Sequence, residues 1–356
     1  MKRILKDARC VILSLLVLTF AQKSWAVNEW LEFYNNTRTL SMGGASVAIT
    51  SDDTSLWRNP ANLGSIREVY GTLLDPELEG TSNLTPSQIN IKDVIDTLAS
   101  KPDTYYRLKG QLSPTIVRRN IGFGLIAKNE ISAEIKSSNP SVMDTAYVND
   151  VGAALGINLR LFDGRIKIGA VGRYFNRIEV LNPTLSTTGP TDLQTIGAAG
   201  SGFGIDGGLL IQAPWQLIPT LGVVVHDIGD TKFTNDSFRI STSGTPQAVK
   251  QSVDAAIAIF PIHSNTFRSV WTLEYTDITN SRNDTDTMKR VHAGIEFNAR
   301  DVFFFRLGYN QRYWTAGMEV ASEYIVWQLA SYGEEIGTET APREDRRIST
   351  KLAIRF

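Results

Sequence analysis

Apolar and polar positions alternate with a period of two along most of the chain after residue 65. The last nine residues show this clearly, with one parity occupied by Ile348, Thr350, Leu352, Ile354 and Phe356. Residues 151–161 repeat the pattern, and the Asp163-Gly164 dipeptide that follows is typical of a hairpin turn. Because consecutive side chains of a strand point to opposite faces, these runs predict strands with one apolar and one polar face.

The alternation predicts about fourteen strands, most of them roughly ten residues long or longer, as in outer-membrane barrels. They cover 66–74, 106–119, 121–136, 146–162, 165–180, 201–214, 217–229, 250–262, 266–278, 287–299, 302–311, 313–320, 322–333 and 345–356. An even number of such strands is typical of a single-chain bacterial barrel.

The predicted connections alternate between short and long. Turns of about two to three residues follow every second strand, as such barrels require on their periplasmic side. The long connections are 75–105, 137–145, 181–200, 230–249, 279–286 and 334–344, with the short link Gln311-Arg312 as the exception. Extracellular loops of outer-membrane barrels are long, whereas a soluble β-sandwich gives no reason for this sorting. We therefore expect an all-β fold, an antiparallel transmembrane β-barrel of about 14 strands over residues 66–356.

Residues 1–26 have the pattern of a signal peptide. Basic residues precede the apolar run Val11–Phe20, and Ser24-Trp25-Ala26 offers small residues for cleavage after Ala26. Cys10 precedes that cut, so the mature chain is expected to have no cysteine. No later run reaches the roughly 18 apolar residues of a helical span, so a membrane form must be a closed barrel. The net charge of -1 argues against a nucleic-acid partner.

The terminal Phe356 fits a lipid-facing strand that closes a barrel. Aromatic residues form girdles at both membrane interfaces of such barrels. Further girdle candidates are Trp271, Tyr275, Tyr309, Trp314, Tyr324, Trp327 and Tyr332. The last strand also resembles the C-terminal signal that outer-membrane proteins present to the barrel assembly machinery, which we expect as a partner.

The stretch ahead of the first strand carries a distinctive motif. It is rich in small residues, with Gly43-Gly44 permitting an unusual backbone and Asn59-Pro60 marking a turn. The motif residues are Met42, Gly43, Gly44, Ala45, Ala48, Asp52, Asp53, Asn59, Pro60, Ala61 and Leu63. The sequence here resembles the long-chain fatty-acid transporter family of the outer membrane (FadL/TodX type) and its PorV-like relatives. Arg58 and Asn62 depart from the family pattern.

The resemblance implies a fourteen-stranded barrel whose N-terminal hatch, residues 27–65, plugs the lumen. It implies passive diffusion of hydrophobic small molecules, similar to long-chain fatty acids, through a gated barrel in contact with outer-membrane lipid. The residues implied in ligand binding and gating are Met42, Gly43, Gly44, Asp52, Asp53, Asn59 and Pro60. The alternative is a PorV-like scaffold or secretion-associated protein in the outer membrane, without transport activity.

The first long loop is predicted to hold an amphipathic helix over 85–100. A capping box with proline at the first helical position opens it, and Ile91, Val94, Ile95 and Leu98 follow at helical spacing. This helix either captures an apolar ligand or packs across the barrel mouth. Charged residues are also expected to face the lumen, where ion pairs would pack the hatch; they include Arg160, Arg173, Arg290, Glu296 and Arg306.

The sequence offers little catalytic or metal-binding chemistry. His226, His263 and His292 lack metal-site spacing. The stretch 202–207 matches the nucleotide-binding pattern G-x-G-x-x-G but lies within a predicted strand with no following helix. These glycines are therefore expected to belong to a barrel strand. We expect no enzyme activity, no cofactor and no bound metal.

Overall fold

The computed structural model describes residues 27–49, 52–83, 100–187, 193–242 and 244–356. Its strands all belong to a single antiparallel sheet. The strands are β1 (Tyr70–Leu74), β2 (Glu77–Thr81), β3 (Tyr105–Leu112), β4 (Thr115–Arg118), β5 (Ile121–Ile135), β6 (Val142–Leu161), β7 (Ile166–Ser186), β8 (Ala198–Gln212), β9 (Thr220–His226), β10 (Phe233–Thr234), β11 (Ser252–Ile259), β12 (Ile262–Ser264), β13 (Phe267–Tyr275), β14 (Val291–Ala299), β15 (Phe303–Asn310), β16 (Tyr313–Ala321), β17 (Ile325–Glu335) and β18 (Glu344–Arg355).

Eight of these eighteen segments form four pairs, and each pair is one interrupted barrel strand. The barrel therefore has fourteen strands. The pairs are β1 with β2, β3 with β4, β9 with β10, and β11 with β12. Pro76, Pro114 and Pro261 lie at three of the interruptions. Proline has no N–H to donate to the ladder, which explains why pairing breaks there.

The last strand closes the barrel. β18 pairs with β17 on one side, and on the other Arg347 pairs with Thr81 of β2 and Arg355 with Thr72 of β1. Closure joins the first and last strands of the sheet into a ring, which is what a strand-built membrane protein needs. The predicted fold class and strand count are confirmed.

The two faces of the strands differ as the alternation predicts. Along β6, Leu155, Ile157 and Leu159 point outward and are more than half exposed, whereas Ala154 is buried inside. Tyr332 is the exception among the predicted girdle residues. Its position on β17 has inward parity, and its hydroxyl donates to Glu79 Oε1 at 2.5 Å within the barrel.

Some predicted boundaries are wrong. The first strand does not end at residue 74 but resumes at Glu77, because Asp75 at the break accepts hydrogen bonds from the Ser113 N–H and hydroxyl, both at 2.7 Å. The strand predicted over 217–229 begins only at Thr220, after Pro219. A 3₁₀ turn at Thr287–Arg290 precedes β14, where the strand was expected to start.

The helices that the structure describes are short. They are α1 (Thr37–Ser41), α2 (Ser55–Arg58) and α3 (Leu193–Ile196), with 3₁₀ turns at Pro60–Ser65, Phe162–Gly164 and Thr287–Arg290. Within the described part of the chain, no helix has the length and apolar character needed to cross a membrane. The predicted signal peptide and the residues Ile91, Val94, Ile95 and Leu98 of the predicted loop helix lie outside the described residues.

Candidate functional site

Residues 27–65 are here called the N-terminal segment, and the parts of it that the structure describes, 27–49 and 52–65, lie within the ring of strands. Thr37 Oγ1 is 2.7 Å from Ser349 Oγ on β18, and Trp57 Nε1 donates to Thr115 Oγ1 on β4 at 2.9 Å. On another side of the ring, His292 Nδ1 of β14 donates to the Gly43 carbonyl at 2.8 Å. The segment therefore contacts several sectors of the wall and crosses the lumen.

The wall is shaped around this segment by glycines at inward positions. A Cβ atom at any of them would collide with atoms of the segment. These positions are Gly124, Gly156, Gly169, Gly208, Gly222, Gly294, Gly308 and Gly317. A lumen built only to conduct water has no need of such close approach, so the wall and the segment are complementary in shape.

The Met42-Gly43-Gly44 motif forms a turn after α1. Asn36 caps the helix by accepting from the Thr39 N–H at 2.8 Å. Gly43 and Gly44 then take φ angles of 68° and 88°, a backbone that glycine adopts without strain. Gly43 also lies directly against the backbone of Tyr309, and Met42 is fully buried.

The two aspartates of the motif, Asp52 and Asp53, lie in different environments. Asp52 pairs with Arg38, whose guanidinium also contacts Glu296 of β14 through two hydrogen bonds of 3.1 Å. Burial raises the pKa of Asp53 to about 6, against the opposing effect of Lys351. Asp52 therefore pairs within the segment with Arg38, which joins the segment to the wall through Glu296, whereas Asp53 is the weaker acid of the pair.

Asn59 and Pro60 shape the second turn of the segment. The Asn59 amide donates to the Val47 carbonyl at 2.9 Å, and its Oδ1 accepts from the Ala61 N–H at 3.0 Å. Pro60 opens the 3₁₀ turn and packs against the backbone of Gly169 on β7. The Asn-Pro motif thus holds the two halves of the segment, around Val47 and around Ala61, to each other.

Arg58, which the sequence marked only as a departure from the family pattern, proves to be the central ion of the segment. Its guanidinium contacts Glu32 at 3.0 Å, Ser46 Oγ at 2.7 Å and the Gly44 carbonyl at 3.2 Å. Across the lumen it lies 3.6 Å from Glu274 of β13. Burial raises the pKa of Glu32, but the positive charges of Arg58 and Arg282 and the hydrogen bond from Arg58 together help to outweigh burial, and the pKa lies below its ordinary value.

A cavity of about 410 Å³ lies above the segment, on the side of the long loops. The segment contributes four aromatic side chains to it: Trp30, Phe33, Tyr34 and Trp57. The wall contributes mainly charged ones, among them Arg173, Arg177, Glu179, His226, Asp227 and Asp254. The cavity therefore combines an aromatic surface with a charged rim, and it suits a small apolar or amphipathic molecule.

The charges around the cavity are largely matched by neighbours. Arg173 contacts Asp206 at 2.6 Å and Asp227 at 2.9 Å, and its guanidinium stacks 4.5 Å from the Phe33 ring. His226 sits between Asp206 and Asp254, at 3.4 and 3.6 Å. The charged side chains in this part of the lumen are consequently held in fixed positions by their partners.

A separate ion-pair network fills the lumen beneath β2, β3 and β18. Glu29 of the N-terminal segment contacts Arg107 at 3.2 Å and Arg347 at 2.7 Å. Glu79 joins the same cluster through Arg107 and through Lys109 at 3.3 Å. The cavity left between these side chains is only about 30 Å³, so this side of the lumen is closed.

The five predicted lumen charges take different positions. Arg306 pairs with Glu296 and with Glu319, both at 2.6 Å, and Glu296 extends the chain of charges to Arg38 of the segment. Arg173 borders the cavity, and Arg290 donates to Asn280 and to the Asp284 carbonyl in a long loop. Arg160 has no acidic partner among the described residues and lies at the opposite, short-turn end.

Comparison with known proteins reveals similarity in structure alone. No protein-family model matches the sequence, and no curated protein is similar to it. The Pseudomonas putida toluene transporter TodX is 12% identical, with 93% of this chain and 99% of that chain covered at a TM-score of 0.53. The CymD monoaromatic hydrocarbon channel is also 12% identical, with 90% of this chain and 96% of that chain covered at a TM-score of 0.53.

The Ralstonia pickettii toluene transporter TbuX gives a third comparison, at 12% identity. Here 90% of this chain and 98% of that chain are covered at a TM-score of 0.50. All three superpositions run through nearly the whole of both chains, so the likeness concerns the entire barrel. The chain therefore has the fold of the TodX, CymD and TbuX channels, as the resemblance of its N-terminal motif implied.

Proposed function

We propose that the protein is an outer-membrane channel through which small hydrophobic molecules, such as long-chain fatty acids, diffuse passively. The observation that carries this proposal is the 410 Å³ cavity, whose aromatic surface comes from the N-terminal segment that also crosses the lumen. In this account the segment is a hatch, so the ligand site and the gate belong to the same piece of chain.

The wall supports placement in a membrane. Aliphatic side chains such as Leu78, Leu159 and Ile257 are each more than half exposed and point away from the lumen. Lipid gives these side chains an apolar environment, whereas water does not. Export by residues 1–26 to the bacterial outer membrane, and assembly through β18, belong to the same proposal.

A route through the barrel follows from the position of the cavity. A ligand enters from the long-loop side, where the predicted helix 85–100 is proposed to capture it, and rests on Phe33 and Trp57. Further passage requires residues 42–63 to move, because the described residues on either side of 50–51, such as Met42 and Pro60, pack tightly against the wall glycines. The residues Met42, Gly43, Gly44, Asp52, Asp53, Asn59 and Pro60 hold the hatch closed in this scheme.

A second function, that of a scaffold without transport, is favoured by the ion-pair network around Glu29, Arg107 and Arg347. Buried pairs of this kind hold the N-terminal segment in place and leave almost no free space. A permanently closed barrel would present its long loops to a partner protein and conduct nothing.

Uptake assays distinguish the two functions. Cells lacking the gene are compared with cells expressing the wild type or Phe33→Ala, using labelled long-chain fatty acid and labelled toluene. We expect the wild type to raise the uptake of at least one compound and Phe33→Ala to raise it less, since the aromatic surface is reduced. Equal uptake with and without the gene, at equal barrel abundance, would exclude transport of both and favour the scaffold.

A further inference from the structure

Five cationic side chains gather at the short-turn end of the barrel, around the turns that join β4 to β5 and β6 to β7. This basic cluster consists of Arg67, Arg118, Arg119, Arg160 and Arg165. Backbone contacts bring the turns together, because the Asn158 N–H donates to the Asn120 carbonyl at 2.9 Å. Arg119 Nε donates to the Ile66 carbonyl at 3.3 Å, which places residue 67 beside the same turns.

None of the five forms an ion pair with the described residues. The chain segments 66–69, 118–121 and 158–167 contain only two acids, Glu68 and Asp163, and both are exposed. By contrast, the buried arginines of the lumen, such as Arg58 and Arg107, each contact at least two carboxylates. The basic cluster therefore carries uncompensated positive charge on one sector of the barrel end.

The cluster adjoins the lipid-facing surface. Arg118 has outward parity on β4, where its neighbour of the same parity, Ile116, is 44% exposed. Phe162 in the turn next to Arg165 is 71% exposed. Long cationic side chains at the edge of an apolar belt place their charge at the level of the lipid phosphates.

We propose that this basic cluster binds the headgroup of an anionic phospholipid at the short-turn end of the barrel. Guanidinium groups match phosphate oxygens in charge and in hydrogen-bond geometry. An acidic segment of a soluble protein satisfies the arginines but leaves Ile116 and Phe162 in water. A lipid satisfies both, with its phosphate on the cluster and its acyl chains on the apolar side chains.

Lipid retention in native mass spectrometry tests this assignment. Full-length mature barrel is released from micelles containing equal phosphatidylglycerol and phosphatidylcholine, and the bound lipids are counted. The test variant is Arg118→Gln/Arg165→Gln, and the matched control is Arg268→Gln/Arg300→Gln, which removes two cations from another turn at the same end. Heat-dependent migration in gels verifies that each variant is a folded barrel.

We expect the wild type and the control to retain phosphatidylglycerol preferentially, and the test variant to bind it about 25-fold more weakly, since each of the two cations near an anionic surface contributes roughly a factor of five. Absence of a preference in the wild type, or an equal loss in the control, would overturn the proposal. If the wild type instead binds a polyglutamate peptide and ignores phosphatidylglycerol, the partner is an acidic protein. The result is independent of hatch gating, because the cluster lies outside the cavity.

Discussion

The carboxylate of Glu274 on the barrel wall lies 3.6 Å from the guanidinium of Arg58 in the N-terminal segment. The same carboxylate accepts the N–H groups of Ser46 and Val47, at 2.7 and 2.8 Å. One wall residue therefore binds both the Arg58 side chain and the backbone that follows the glycine turn of the segment.

Removing the guanidinium is expected to loosen the segment. In Arg58→Met the hydrogen bonds to Ser46, Gly44 and Glu32 disappear, and Glu274 is left buried without a cationic partner. Breaking a buried pair in this way costs about 3 kcal/mol or more. We expect the outer membrane of expressing cells to become more permeable to a large dye, measured as the dye influx rate at equal barrel abundance.

The control for this variant is Arg177→Met, which also removes a partly buried guanidinium but one that pairs with the wall residue Asp150 at 2.7 Å. It is expected to leave dye influx near the wild-type rate. The double variant Arg58→Met/Glu274→Gln removes the unpaired charge without restoring the contact, so it should stay permeable. If the double variant instead returned to the wild-type dye influx rate, the role of Arg58 would be only to neutralise Glu274.

Gly308 offers a test of the fit between wall and segment. A Cβ at this position would meet the backbone of Met42 and Gly43, so Gly308→Ala should displace the glycine turn. Overpacking of this kind costs about 1–3 kcal/mol. We expect faster proteolysis of residues 27–65 in the folded barrel. Gly110→Ala is the matched control, because its added Cβ would find only Leu78, at 3.8 Å; equal proteolysis in both variants would contradict the fit.

Asp53 predicts a pH dependence of stability. Its folded pKa of about 6 lies above the ordinary value of 3.8, so the folded chain binds more protons than the unfolded chain between these values. The free energy of unfolding contributed by Asp53 therefore falls as pH rises from about 4 to 6. Urea unfolding in lipid vesicles should show Asp53→Asn gaining stability relative to the wild type across this window.

Asp103 serves as a control, because its pKa is shifted in the opposite direction to that of Asp53. Hydrogen bonds from Ser137 hold the pKa of Asp103 below its ordinary value, so its contribution to stability is lost as pH falls. Asp103→Asn should therefore not reproduce the gain of Asp53→Asn between pH 4 and 6. The same change in both variants would point to a general charge effect.

The sequence predicts the barrel well because lipid and lumen impose a period of two on every strand. The same parity also identifies Tyr332 as an inward residue, but an aromatic side chain near a strand end was assigned to the girdle on residue type alone. The pattern predicts a long connection from residue 75, whereas the strand resumes beyond Pro76 as β2. A strand can resume after a proline when a neighbouring side chain, here Asp75, satisfies the freed backbone group.

The site was less accessible from sequence. The motif identifies Met42, Gly43, Gly44, Asn59 and Pro60, and the structure places all of them in the lumen, the glycine turn against β14 and β15 and Asn59-Pro60 against β7 and β8. Arg58 was identified only as an exception, because its partners Glu32 and Glu274 are distant in the chain and become neighbours only when the barrel closes. The inward glycines carried a signal, since several fall at strand positions of one parity, but only the folded segment shows why they are small.

A reversible cross-link between Thr37 and Ser349 tests the central claim, that the N-terminal segment must move for a ligand to pass. Their hydroxyl oxygens are 2.7 Å apart, and with Cys10 in the predicted signal peptide the mature chain offers no competing thiol. In Thr37→Cys/Ser349→Cys, we expect an oxidised barrel to lower uptake of the transported compound to the level of cells without the gene, and reduction to restore it. Full uptake through the oxidised, cross-linked barrel would contradict the account.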